Sequence, residues 1–271
     1  MERAQLAGVD DVGIGALLGL YDHRFEVLAM LQHAQHLDST YGAGPHTISI
    51  PRIRAASGSD ISHAPPHVVS DDQFRRLVAV IRCAVPYTGM ILSTRESADM
   101  RRELVNLGVS QMSAASRTDV GSYHKGDDLK PGQNLVHKTT PKDKEEKAQD
   151  EGQFDVCDER SAPEVISDLI KGGYTPSWCT ACYRKGRTGE AFMKIAKRGE
   201  ICNYCGPNAL FTLKEYLLDY AGGDTAEMQE LRKNGEALIR RELATIADPE
   251  RRKLTEQKLK SIEQGTRDVY F

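Results

Sequence analysis

The chain has 271 residues, and its 36 Lys and Arg against 39 Asp and Glu leave a net charge of −3. That length can bury a core as one large or two modest domains, and the near-balanced charge gives no electrostatic case for nucleic acid or an anionic membrane as partner. No run approaches the apolar length of a membrane span, and the polar start Met1–Gln5 does not read as a secretion signal, so a cytoplasmic location is expected.

Residues 8 to 118 alternate short β-type runs with amphipathic helical ones. Val12 to Leu20 is apolar and interrupted by Gly13, Gly15 and Gly19, a pattern better read as close backbone packing near a cofactor than as a phosphate loop. Phe25 to Leu37 predicts a helix with Phe25, Leu28, Leu31 and Ala34 on its buried face. His46 to Ile53 alternates as a strand, with Ile48 and Ile50 on one side. Ser70 and Gln73 form a capping-box start for a helix through Phe74, Leu77, Val80 and Ile81 that ends at a buried Cys83. Gly89–Thr94 is a strand, Glu96–Leu107 a helix, and Val109–Ala114 another strand.

Such alternation predicts parallel strands joined by helical crossovers, about four βα units, or half of an eightfold barrel. A half barrel leaves two strand edges open, so residues 1–120 read as the back half of something larger. Arg95 follows the Gly89–Thr94 strand at the end where barrel chemistry is placed, and its planar fork suits an amino-acid carboxylate. Ser113, past the core of the next strand, would add a hydroxyl contact. The alternative is that Arg95 and Glu96 only begin the following helix.

Residues 121–153 are rich in Gly, Pro, Lys, Asp and Glu and read as a flexible, solvated loop. Residues 154–271 lose the strand pattern. Ser161 with Glu164 opens a helix that ends at Gly172, and Thr212 with Glu215 opens another that ends at Gly222. Asp248 followed by Pro249 caps a last, highly charged helix with Leu254 and Ile262 as its sparse apolar positions.

Four of the six cysteines fall between Trp178 and Pro207, in loops between these helices. Cys179, Cys182, Cys202 and Cys205 read as C-x2-C-x19-C-x2-C, a pattern that fits a closed zinc site; Cys179, Cys182 and Cys205 alone read as C-x2-C-x22-C. Thiolates so concentrated bind a soft metal centre, zinc or an iron–sulfur cluster, and imply a reducing compartment rather than a disulfide framework.

The runs DDVGIGALLGLYD, GPHTISIPR, VPYTGMILSTRE, GVSQMSAASRTDVGSYH, WCTACYRKGRTGEAFM and PNALFTLKEYLLDYA together resemble the HydG family, the radical S-adenosylmethionine tyrosine lyases of FeFe-hydrogenase maturation. The resemblance covers residues 6 to about 222, and its most specific element is the C-x2-C-x22-C triplet, which the related 2-iminoacetate synthase of thiamin thiazole synthesis, ThiH, lacks. It implies the carboxy-terminal half of a (βα)8 radical SAM barrel followed by a mainly helical cluster-binding domain. It implies that Cys179, Cys182 and Cys205 hold an auxiliary 4Fe-4S cluster carrying an additional iron, and that His46 helps hold that iron. L-tyrosine would be the substrate, split into p-cresol and dehydroglycine, the latter going on to iron-bound carbon monoxide and cyanide; other hydrogenase maturation proteins would be partners. One departure stands out: the family's C-x3-C-x2-C motif for the cluster that cleaves S-adenosylmethionine does not occur, since Cys83 and Cys157 are isolated. An amino-terminal half, as a missing segment or a separate complementing chain, is therefore expected. The competing readings are a non-catalytic zinc-binding interaction module and a 2-iminoacetate synthase.

Overall fold

The structure, a computed structural model, describes residues 1–118 and 154–271. The charged stretch expected as a loop over 121–153 lies outside the described residues. After a short helix α1 (Glu2–Leu6), the chain lays down β1 (Gly13–Gly15), α2 (His23–Tyr41), β2 (Thr47–Ser49), α3 (Asp60–His63), α4 (Asp71–Ala84), β3 (Gly89–Leu92), α5 (Ala98–Asn106) and β4 (Gln111–Met112). The strands form one parallel sheet in the order β1-β2-β3-β4, with Ile14 opposite Ile48, Ile48 opposite Met90, and Leu92 opposite Met112. A further parallel bridge joins Leu18 to Arg52 beyond the ends of β1 and β2. The described residues fall into two compact units, 1–118 with 154–161 and 188–193, and 162–187 with 194–271.

The core of the first unit is built on one face of each of α2, α4 and α5 and on Ile48, Ile50, Met90 and Leu92 in or next to the strands. Glycine permits β1 to run this close to β2, because a Cβ on Gly15 would stand 2.4 Å from the Ser49 carbonyl oxygen. Helix α2 buries Val27, Met30, Ala34 and Leu37, whereas Phe25 and Leu28 are exposed. The expected face was rotated because residues 27 to 31 are all apolar, and a continuous apolar run has no unique helical stripe. Helix α4 starts at the expected capping box: Gln73 N donates to Ser70 Oγ, and Ser70 N donates to Gln73 Oε1. It buries Phe74, Leu77, Val78 and Ile81. Val80 is on the solvent side, and so is Cys83, three residues on along the same face, which corrects the reading of Cys83 as buried.

Residues 154–160 return across the carboxy-terminal ends of the strands. Asp155 N donates to the Ala55 carbonyl at 2.9 Å, Cys157 N and Asp158 N donate to that of Thr94 at 2.9 and 3.1 Å, and Ala115 N donates to that of Arg160 at 3.2 Å. The strap is pinned by Asp158, whose carboxylate meets the guanidinium of Arg101; each side chain is 1% exposed. Arg160 adds two bonds to the same carboxylate, at 2.9 and 2.8 Å.

The second unit is helical: α6 (Ala162–Lys171), α7 (Ala181–Arg184), the end of α8 (Gly189–Lys197), α9 (Cys202–Asp219), α10 (Ala226–Thr245) and α11 (Pro249–Glu263). Its core gathers Ile166, Ile170, Phe211, Leu213, Leu217, Leu231, Leu238 and Ile262. Gly235 lets α10 lie against α9, because a Cβ there would stand 2.7 Å from Leu217 Cδ1. Buried Lys214 of α9 donates to Glu236 of α10 and Glu263 of α11, each at 2.7 Å, so one ammonium ties three helices. Asp248 caps α11 as expected, accepting from Glu250 N, while Leu254 is exposed and Leu259 takes its place beside Ile262.

The helix expected to begin at Thr212 instead runs unbroken from Cys202. Both members of the supposed capping box are engaged elsewhere. Thr212 Oγ1 donates back to the Ala209 carbonyl, and Glu215 Oε1 accepts from Val269 N. Among the described residues, no helix is long and apolar enough to cross a membrane.

Burial alone raises the Asp158 carboxyl, but hydrogen bonds from Arg160 and the charges of Arg101 and Arg160 outweigh it and hold the group below the usual carboxylate range. Replacing Asp158 by Ala strands a buried guanidinium, so Asp158→Ala should cost about 3–5 kcal/mol in urea unfolding at pH 7. Because the folded-state value is depressed, the Asp158 contribution is complete above about pH 4 and is lost as pH falls through that lowered value. The stability gap between parent and variant should close in that acid range.

Candidate functional site

The four thiols of the second unit converge on the start of α9. Cys202 and Cys205 lie in its first turns, Cys182 on the short helix α7, and Cys179 in the preceding loop. Three of the four are therefore helical, not in loops as their spacing suggested. The Cys179 loop is laid on α9 from the side: Trp178 N donates to Thr212 Oγ1 at 3.3 Å, and the Trp178 ring stacks on Tyr216 with centroids 4.8 Å apart. Cys179 N donates to Ser177 Oγ at 3.3 Å, and Ala181 N donates to Cys179 Sγ at 3.4 Å, which turns the loop into α7. Arg187 N closes that turn on the Cys182 carbonyl at 2.8 Å.

All six cysteines are free thiols. Burial among neighbouring atoms, then the nearby Cys182 and Cys179, pushes the Cys205 thiol up to about 11 against the counteracting charge of Arg187, even though part of its surface remains accessible to water. Cys202 adds a smaller push in the same direction and donates to the Gly199 carbonyl at 3.1 Å. A thiol whose neighbours disfavour its charge suits a cationic centre, which removes that repulsion. Among the described residues, no three His, Cys, Asp or Glu side chains are drawn into a ready-made metal cage.

His46 belongs to the first unit, immediately before β2. Its Nδ1 lies 2.8 Å from Asp11 Oδ1, angled away from an ideal hydrogen bond, and its ring stacks on Phe192 at 4.5 Å. Asp11 and Phe192 were not singled out in the sequence.

Arg95 and Ser113 follow neighbouring strands, β3 and β4, and so lie on the same carboxy-terminal edge of the sheet. Arg95 is half-buried, with Cζ 3.8 Å from the centre of the Phe154 ring, and among the described residues no carboxylate pairs with it. Burial and then the charge of Arg54 push its guanidinium below its ordinary value. Ser113 N donates to the Leu92 carbonyl at 3.1 Å, and its own carbonyl accepts from Arg101. The helix that follows, α5, starts at Ala98 under the cap of Ser97, two residues beyond Glu96.

The Biotin and Thiamin Synthesis associated domain matches residues 49–175. Over 123 residues the chain is 31% identical to the 2-iminoacetate synthases of Salmonella typhimurium and Escherichia coli, a stretch equal to 45% of this chain and 32% of each relative. Among solved structures, the crystal structure of HydG, a maturase of the FeFe-hydrogenase, aligns with a TM-score of 0.85 at 47% identity, covering 100% of this chain and 53% of that one. HydG from Carboxydothermus hydrogenoformans aligns with a TM-score of 0.68 at 38% identity, covering 95% of this chain and 49% of that one. The chain is similar to the carboxy-terminal part of HydG, and more distantly to 2-iminoacetate synthase. It spans about half the length of the HydG chains it matches.

A thiol with a value near 11 carries roughly a hundredfold less thiolate at pH 8 than one at its ordinary 9.0. In the metal-free chain, iodoacetamide should therefore modify Cys205 on the order of tenfold or more slowly than an unfolded peptide of the same local sequence, as read by mass spectrometry. Equal rates would mean that Cys205 does not feel its neighbours.

Proposed function

We propose that this chain is the carboxy-terminal part of a radical S-adenosylmethionine tyrosine lyase that acts in FeFe-hydrogenase maturation. On this reading, the four-stranded parallel sheet is the back half of a (βα)8 barrel and the helical unit carries an auxiliary iron–sulfur cluster. The observation that carries the proposal is the convergence of Cys179, Cys182 and Cys205 at the start of α9, in a chain similar to HydG over its whole length. Bound there, a 4Fe-4S cluster with three cysteine ligands would supply an iron whose remaining coordination position is open for chemistry. Cys179, Cys182 and Cys205 hold the cluster. On this reading His46, whose Nδ1 lies beside Asp11, would help hold the additional iron.

At the sheet edge, Arg95 binds the carboxylate of L-tyrosine, and Ser113 contributes a hydroxyl. A guanidinium set over the Phe154 ring and, among the described residues, paired with no carboxylate is prepared for such a partner. Holding the substrate by its carboxylate fixes the Cα–Cβ bond, whose cleavage gives p-cresol and dehydroglycine. The radical that starts this cleavage requires a C-x3-C-x2-C segment, absent from the 271 residues, so a second polypeptide segment completes the enzyme.

A zinc-stabilised interaction module is the second reading, and one observation favours it. Cys202 also lies close enough to affect Cys205, which makes a fourth thiol available for a closed tetrahedral site.

Reconstitution with iron and sulfide separates the two. The parent chain should bind iron with acid-labile sulfide in near-equal amounts. Cys179→Ala, Cys182→Ala and Cys205→Ala should each lose most of both, whereas Cys202→Ala should keep them. A chain that takes up one zinc, carries no sulfide and loses metal in all four variants would establish the zinc reading. Supplied with the complementing amino-terminal half, the parent should form p-cresol from L-tyrosine, and Arg95→Ala should lower kcat/KM for tyrosine by about a hundredfold.

A further inference from the structure

Three arginines meet at the carboxy-terminal edge of the sheet, Arg52 and Arg54 beyond β2 and Arg95 beyond β3. Their one buried counter-charge is Glu96, 1% exposed. Arg52 spends its fork completely: Nε donates to Glu96 Oε1 at 2.9 Å, Nη2 donates to Glu96 Oε2, and Nη1 donates to the Val69 carbonyl at 3.0 Å and to Asp71 Oδ1 at 2.7 Å. Arg54 uses only Nη2, which donates to Glu96 Oε2 at 3.0 Å. Its Nε is buried and, among the described residues, has no partner. A buried N–H without an acceptor is costly, and a ligand that supplies one recovers that cost.

The strap brings Arg54 and Arg95 together. Asp155 N bonds to the carbonyl of Ala55, the residue after Arg54, while the adjacent Phe154 lies under the Arg95 guanidinium. Among the described residues, Glu96 and Asp71 are the carboxylates paired with these guanidiniums: Arg52 engages both, Arg54 shares Glu96, and Arg95 engages neither. The surplus positive charge therefore rests on the Arg54–Arg95 pair. A planar anion with two oxygens answers both needs, accepting from the unpaired Arg54 Nε and from the Arg95 fork.

We infer that Arg54 joins Arg95 in binding the carboxylate of an α-amino acid at this edge, with Glu96 as the residue that positions Arg54. The inference rests on the reading of Arg95 given above and extends it to a second arginine. Two sources share the chemistry, L-tyrosine and the methionyl end of S-adenosylmethionine.

Calorimetric titration of the 271-residue chain with each compound, and with its decarboxylated counterpart (tyramine, decarboxylated S-adenosylmethionine), tests it. Arg54→Lys keeps a cation for Glu96 but removes the Nε donor; Arg54→Ala removes both, and unchanged circular dichroism and melting certify their folds. The parent should prefer one α-amino acid over its decarboxylated form. Both Arg54 variants should weaken that ligand by about tenfold or more, and leave the decarboxylated form unaffected. Whichever compound loses affinity identifies the source of the carboxylate; if it is S-adenosylmethionine, Arg54 stands as inferred and the tyrosine assignment of Arg95 falls. If Arg95→Ala abolishes the preference while Arg54→Lys and Arg54→Ala keep it, the inference is overturned and the Arg95 reading stands. If the parent shows no preference for either carboxylate, both are overturned.

Discussion

A guanidinium taken almost wholly out of water needs an anion against it, and Arg101 of α5 finds its anion in Asp158, on the far side of a long, charged stretch of chain. That pairing decides where the chain comes back. Once Asp158 is docked, its neighbours have only the strand ends to bond to, and they use the carbonyls of Ala55 and Thr94. The strap then sets Phe154 under Arg95 and leaves the Ser113 carbonyl in the grip of Arg101. The geometry of the sheet edge thus follows from a buried ion pair that no local sequence pattern announces. Such a pair specifies an arrangement more than it adds stability, since its Coulomb gain is spent largely on desolvating two charges.

In the second unit the organising element is α9. One side of it supplies Leu213 and Leu217 to the core, with Lys214 between them reaching carboxylates on α10 and α11. Another carries Thr212 and Tyr216, against which the Cys179 loop rests. Its first turns hold Cys202 and Cys205. Core packing and the thiols therefore share one backbone, and Cys202 and Cys205 are placed by a helix whose position is already fixed by apolar burial.

Much of this was legible in the residues. The βα alternation gave the parallel order, the Ser70–Gln73 box and the Asp248–Pro249 cap gave helix starts, and the cysteine spacing marked the place where thiols gather. The misreadings share a physical origin. In α2 the apolar residues are consecutive, so the sheet, rather than the helix, selects Val27 and Met30 over Phe25 and Leu28. Thr212 and Glu215 satisfy a capping pattern by type, but a cap depends on which backbone amides are left unbonded, and here the helix had already begun ten residues earlier at Cys202. Helix α10 went unnoticed because its charges are frequent and its burial depends on Gly235 meeting Leu217. The roles of Asp11, Glu96 and Asp158 are long-range pairings, for which a single sequence carries no periodic signal.

Pro207 stands inside α9, two residues beyond Cys205. Having no amide hydrogen, it leaves the carbonyl of Asn203 without its usual helical partner, so the turn bearing both thiols is tethered to the body of the helix by one bond fewer than elsewhere. Such a seam acts as a fuse. Mechanical or thermal stress on α9 is released first in the donor-bearing turn, while the segment from Asn208 onward stays anchored by Phe211, Leu213 and Leu217. The turn that carries Cys202 and Cys205 can then loosen without disturbing the fold beneath it.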